Sequence, residues 1–94
     1  MSEKPSEGVI YVGSKPTSSY VLAIVTQLSQ GSKRVIIKAR GRSITRAVDA
    51  VELTKRFTSG KVEVKDIKIG SDKVGEPGKE RTVSTIEIVL ESKG

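Results

Sequence analysis

The residues best equipped to do chemistry in this chain are cations. KARGRSITRAV, residues 38–48, sets Lys38, Arg40, Arg42 and Arg46 around Gly41 without one acidic residue. Guanidinium groups hold phosphate through charge and a planar fork of N–H donors. Arg40, Gly41 and Arg42 directly precede a helix start, where free N–H groups and the helix dipole favour an anion. Cations at that end oppose the dipole. Helix stability therefore does not account for them, and their counter-charge must come from elsewhere. Gly41 permits a positive φ or a close backbone approach. The plain alternative is a solvated loop with incidental arginines. Arg46 carries less weight, because Asp49 stands at i+3 and is available to pair with it.

Other chemistries are poorly supplied. The chain has no His and no Cys, so it lacks the usual general base, the commonest metal ligand and a thiolate nucleophile. No catalytic residue, metal or cofactor is expected. Asp49 and Glu52 lie one helical turn apart, but Arg46, Lys55 and Arg56 are within i±3/4 reach, and surface ion pairs are the better reading. No Gly-x-x-x-x-Gly-Lys-Ser/Thr loop occurs. GEPG (75–78) matches the GxxG pattern of KH domains, yet it falls between strands and holds an acid and a proline. Tyr11, Tyr20 and Phe57 are the only aromatics, a meagre supply for stacking on unpaired bases. A non-enzymatic protein that reads a nucleic-acid backbone, with little sequence preference, is favoured.

Charge placement supports a polyanionic partner. The formal charge is +6, and residues 8–48 hold seven basic and no acidic residues, whereas residues 49–94 hold nine of each. All the excess lies in the first half. At 94 residues with 30% charged and 35% hydrophobic content, the chain reads as one small folded domain. Residues 1–8 read as a flexible tail and 9–94 as the domain. The polar, acidic start MSEKPSEG and the lack of a long apolar run lead to the expectation of a cytoplasmic protein with no membrane partner.

The elements that must position the cations follow from periodicity. VIYV (9–12) reads as a strand ending at Gly13. Pro16 is tolerated in a first helical turn, and Thr17 or a neighbouring Ser is a candidate cap. Val21, Ile24, Val25 and Leu28 then line one face of a helix that stops at Gly31. RVIIKA (34–39) is apolar enough for a central strand. Ser43 is the candidate N-cap of a second helix, with Ile44, Ala47, Val48 and Val51 as its core stripe. Ala50, Leu53 and Phe57 form a second apolar line nearly opposite, which suggests an association surface. KVEVKDIKI (61–69) switches parity between Val64 and Ile67, and a bulge at Lys65–Asp66 restores one apolar face. TVSTIEIVL (82–90) is the last strand, and residues 70–81 form a polar connector at the tip of a long hairpin. The fold class is α+β: a two-layer sandwich of order β-α-β-α-β-β, with two helices on one face of a mixed four-stranded sheet and a protruding C-terminal hairpin.

In such a sheet the turn GSKP (13–16) emerges at the same edge as Arg40–Arg42. Lys15 is thereby brought near both arginines. The hairpin offers Lys73, Lys79 and Arg81 against Asp72, Glu76 and Glu80, either as a solvated loop or as a basic ribbon that enters a groove.

KARGRSITRAVDAVEL resembles the signature of the archaeal Alba family of small basic chromatin and RNA-binding proteins. VGSKPTSSYVLA is similar to its Lys-Pro segment and VSTIEIVL to its last strand, so the resemblance spans Val9 to Leu90. It implies a homodimer that binds double-stranded DNA and RNA, compacting or bridging the chromosome. Transferred by position, Lys15, Arg40 and Arg42 contact phosphates, and Lys73, Lys79 and Arg81 supply the arms. Phe57 falls where the family places an aromatic in dimer–dimer packing, and Leu53, beside it on the second apolar line, joins it as a candidate for that interface. Lys15 is the acetylation candidate, which implies an acetyltransferase, a deacetylase and a family paralogue as further partners. Relatives often carry two lysines before the proline, whereas Ser14 precedes Lys15 here. One charge is lost, although the Ser14 hydroxyl can still bond a phosphate. A dedicated RNA-binding role is the alternative that the same patch serves.

Overall fold

Residues 7–93 are described by the computed structural model, in the order β1 (Glu7–Tyr11), α1 (Thr17–Ser29), β2 (Arg34–Arg40), α2 (Ser43–Phe57), β3 (Val62–Val74) and β4 (Arg81–Ser92). The strands lie side by side as β1-β2-β4-β3. β1 runs parallel to β2, and β4 is antiparallel to both β2 and β3. This is the expected mixed sheet with both helices on one face.

Alternation along the strands builds the core. Ile10, Val35, Ile37, Ile88, Leu90 and Val62 point toward the helices, where they meet Tyr20, Ile24, Ala47, Ala50 and Val51. Ile24, Ile37, Leu90 and Val35 are fully buried, and each such side chain contributes about 1.5–3 kcal/mol relative to exposure. The opposite face, with Val9 and Tyr11, is left uncovered.

Several local expectations are corrected. Six of the eight residues read as a tail, 1–6, lie outside the described residues, and Glu7 and Gly8 belong to β1, in register with Arg34 and Val35. Neither helix has a side-chain cap. Pro16 occupies the N-cap of α1 and Arg42 that of α2, so Ser43 is the first residue of its helix. On α2 the core stripe is Ala47, Ala50, Val51 and Thr54, whereas Val48 is exposed. Ala50 therefore belongs to the core and not to the outer line. Thr54 is buried despite its hydroxyl because Oγ1 donates to the Ala50 carbonyl at 2.8 Å, which satisfies the polar atom inside the helix.

The bulge stands where the parity switch placed it. Pairing slips between Val64 and Asp66, which leaves Lys65 without a cross-strand partner. Val64 then faces Leu90, Ile67 faces Ile88 and Ile69 faces Ile86, so all share the helix-side face. The hairpin itself is longer than expected. Ladder pairing continues to Val74↔Arg81, which confines the loop to residues 75–80, and the molecule measures 48 × 35 × 23 Å. Among the described residues no helix is long and apolar enough to cross a membrane.

Candidate nucleic-acid interface

Two strand-to-helix turns meet at one edge of the sheet, and the Gly13 carbonyl joins them. It accepts from Arg46 Nη1 at 2.7 Å and from Ser43 Oγ at 3.3 Å, so the first turn of α2 is bonded directly to the β1–α1 turn. That turn is shaped from below by Tyr20. Its buried hydroxyl accepts the Gly13 N–H at 2.8 Å and the Lys15 N–H at 3.1 Å. Tyr20 was readable only as a helix residue. The available signal was that a tyrosine on an apolar stripe needs a partner for its hydroxyl.

Ser14 and Lys15 stand exposed on one side of this junction, and Arg40, Gly41 and Arg42 stand exposed on the other. Gly41 has φ +58° and nothing within 4 Å of where a Cβ would sit. Its N–H is taken by the Ser84 carbonyl at 2.8 Å. The glycine thus serves the left-handed turn and anchors it to β4, and its own amide is not offered to a ligand. Arg46 is half-buried and reaches toward Gly13 where a pair with Asp49 was expected. The ion pair on that helix is Lys55–Glu52 at 3.5 Å.

The cations divide into two populations. Arg34 bridges Glu91 at 2.7 Å and Glu7 at 3.3 Å across three strands; hydrogen bonding to Glu91 above all raises its pKa further above the ordinary arginine value. Lys38 pairs with Glu87 at 3.3 Å and so stays on the outer face of its strand. Lys15, Arg40, Arg42, Lys73, Lys79 and Arg81 form no ion pair among the described residues. The structure brings Lys15, Arg40 and Arg42 to one edge and leaves the hairpin cations apart. Lys73, opposite Thr82, lies on the helix-side face of the ribbon, and Arg81, opposite Val74, lies on the other. Lys79 sits in the loop, where its N–H donates to the Glu76 carbonyl at 2.8 Å.

Two apolar surfaces lie outside this edge. Leu53 and Phe57, 43% and 77% exposed, join Val21, Leu22 and Val25 of α1 around a groove of about 450 Å³. Ile67 and Ile69, 55% and 82% exposed, continue the core face beyond the point where the helices cover it. The alternation places those isoleucines on one face with Val62 and Val64; how far the helices extend along the ribbon is a tertiary fact with no local signal.

The architecture is a two-layer α+β module whose chemistry is concentrated in a basic edge able to hold phosphate, and among the described residues no His/Cys/Asp/Glu cluster suits a metal. The Alba family profile matches residues 8–71. A protein of Nanoarchaeum equitans named DNA/RNA-binding protein Alba is 54% identical over 87 residues, covering 89% of this chain and 97% of that one. The protein of the same name from Pyrobaculum islandicum is 53% identical, covering 92% and 96%. The solved structure of Alba from Thermoplasma volcanium superposes with a TM-score of 0.84 at 38% identity, covering 89% of this chain and 99% of that one. The chain belongs to the Alba family, a non-enzymatic family of nucleic-acid-binding proteins.

Proposed function

We propose that this chain binds double-stranded DNA with little sequence preference, as a homodimer that coats or bridges archaeal chromatin, and that it also binds RNA. The observation that carries this reading is the junction at Gly13, which gathers Lys15, Arg40 and Arg42 at one edge with no carboxylate paired to them among the described residues. Phosphates are their counter-charge, and binding is driven by counterion release. A two-fold axis doubles the cluster and presents it to two stretches of backbone. Exposed Ile67 and Ile69 on the helix-side face favour a second copy packed there, because a monomer leaves that apolar surface in water. The ribbons then reach outward as arms, with Lys73, Lys79 and Arg81 on or near their tips. The Leu53–Phe57 groove is suited to packing between dimers along DNA. Acetylation of Lys15 removes one of the clustered charges, which gives an acetyltransferase and a deacetylase a direct means of loosening the complex. In a cell the protein is cytoplasmic and chromosome-associated, alone or with a paralogue.

The relatives' name, DNA/RNA-binding protein, keeps a dedicated RNA role as the second reading. Competition among duplex DNA, duplex RNA and structured RNA separates the two. The primary test is salt titration. If a dimer neutralises on the order of six phosphates, log K falls against log salt with a slope near −5. An affinity indifferent to salt removes the electrostatic reading altogether.

A further inference from the structure

We infer that the open face of the sheet carries a stacking site for an unpaired nucleotide, built on Tyr11. The inference rests on the reading of this chain as a nucleic-acid-binding protein and adds a class of ligand that the basic edge alone does not select. Tyr11 ends β1, an edge strand, on the face away from the helices, and it is 73% exposed. The fold gains little from an aromatic ring there. The other two aromatics are engaged elsewhere: Tyr20 is buried with its hydroxyl bonded, and Phe57 lines the α1–α2 groove.

The surroundings of Tyr11 are those of a platform. Tyr11, Lys38, Glu87 and Lys68 stand in one register row across all four strands. Lys38 Nζ lies 5.9 Å from the Tyr11 ring centroid and is held in place by Glu87 at 3.3 Å. The ammonium therefore lies over the ring, and the ring's exposure leaves surface on which a ligand can stack. A base stacked on the exposed ring, opposite the ammonium, completes a base–ring–cation sandwich in which each neighbour meets one negative face of the ring. Arg40 follows two residues along β2 on the same face, exposed and with no ion pair among the described residues, about 7 Å away at strand rise. It holds the phosphate flanking the stacked base.

A concavity of about 860 Å³ runs past these groups, lined on this face by Tyr11, Lys38, Arg40, Lys68, Thr85 and Glu87, with Asp72 at its far end. Three cations there face two carboxylates, one of which is occupied by Lys38. A duplex hides the faces of its bases in its own stack and offers only phosphates to this edge, whereas an unpaired base presents a π-face. The site therefore favours single-stranded segments. Its chemistry is common to RNA and single-stranded DNA.

The test compares short oligouridylate, oligothymidylate and a mixed-sequence DNA duplex by fluorescence anisotropy at one salt concentration, using the full chain. Tyr11→Ala is expected to weaken binding of the single strands about 5- to 100-fold and of the duplex by less than about twofold. Tyr11→Phe keeps wild-type affinity for all three, because stacking needs no hydroxyl. The single strand that loses more identifies which source the site prefers. Unchanged single-strand affinity in Tyr11→Ala overturns the site, and so does an equal loss on the duplex. Arg42→Glu separates the two levels of the argument. If it weakens duplex binding while Tyr11→Ala leaves single strands unaffected, only the stacking site falls. If Arg42→Glu changes nothing, the nucleic-acid reading itself fails.

Discussion

Arg46 offers the sharpest test of how the basic edge is assembled. Its Nη1 donates at 2.7 Å to the Gly13 carbonyl, which holds the β1–α1 turn against α2, and in the proposed function it is Arg42 that meets the ligand. Arg46→Met keeps the aliphatic stem and removes the donor. A hydrogen bond to a charged group contributes about 1.5–3 kcal/mol, and the lower part of that range applies to a half-buried donor whose acceptor keeps Ser43 as a second partner. A loss of about 1.5 kcal/mol lowers the melting temperature of a domain of this size by roughly 6–12 °C. The binding readout discriminates further. Loosening the turn weakens affinity a few-fold, but a positioning residue leaves the salt slope unchanged. Arg42→Met, by removing one phosphate contact per subunit, flattens the slope by about 1.8 per dimer. Calorimetry with salt-dependent anisotropy on both variants provides the measurement. If Arg46→Met flattens the slope as much as Arg42→Met, the arginine is a phosphate contact. If its melting temperature does not move, the Gly13 clamp has no energetic weight.

Gly41→Ala, at φ +58° with open space around its Cβ, lowers stability by about 1–2 kcal/mol through backbone strain alone; Gly41→Asn costs less, and a melt unchanged by alanine contradicts the left-handed turn. Ile69→Lys, at a position 82% exposed in the single chain, leaves the fold intact and shifts sedimentation from dimer toward monomer; a stable dimer in this variant places the interface elsewhere. Phe57→Ala preserves the melting temperature and the dimer while reducing cooperative assembly on long DNA, read by light scattering and by the steepness of the isotherm. Identical isotherms rule out the groove as an assembly surface.

Most of the architecture was legible because its signals are local. Glycines bounded α1, apolar runs marked the strands, and a parity switch located the bulge at Lys65. What escaped depends on partners distant in the chain. Ser43 reads as a cap, yet the αL turn at Gly41 and its bond to Ser84 start the helix one residue earlier and free the hydroxyl for Gly13. Ala50 and Val48 exchange places between core and surface because the stripe follows contacts with α1 and β2 and not hydrophobicity alone. Thr54 is hidden from any apolar count by its internal bond. The far half of β3, Ser71 to Val74, has solvent on both faces, so no hydrophobic period announces it. For the basic edge, residue types and turn positions identified Lys15, Arg40 and Arg42. The clamp that joins their turns, through Gly13, Arg46 and Tyr20, required the three-dimensional arrangement.

The bulge at Lys65 also has a bearing on how such a chain tolerates change. It splits β3 into two segments one residue out of phase. The phase of the first is locked by Val62 and Val64 against the core, and that of the second by pairing with Ile86 and Ile88. Residues added or removed in matched pairs along the ribbon preserve both phases and alter only its reach. Removal of Lys65 alone would convert the joint to regular pairing, because Val64 and Ile67 would then stand two positions apart as Leu90 and Ile88 do, and Ile67 and Ile69 would keep the helix-side face. Length variation in the arm is therefore compatible with the same body, and a one-residue deletion at the joint is absorbed by loss of the bulge, whereas an unmatched one-residue change beyond it would turn the outer ribbon's side chains to the opposite face.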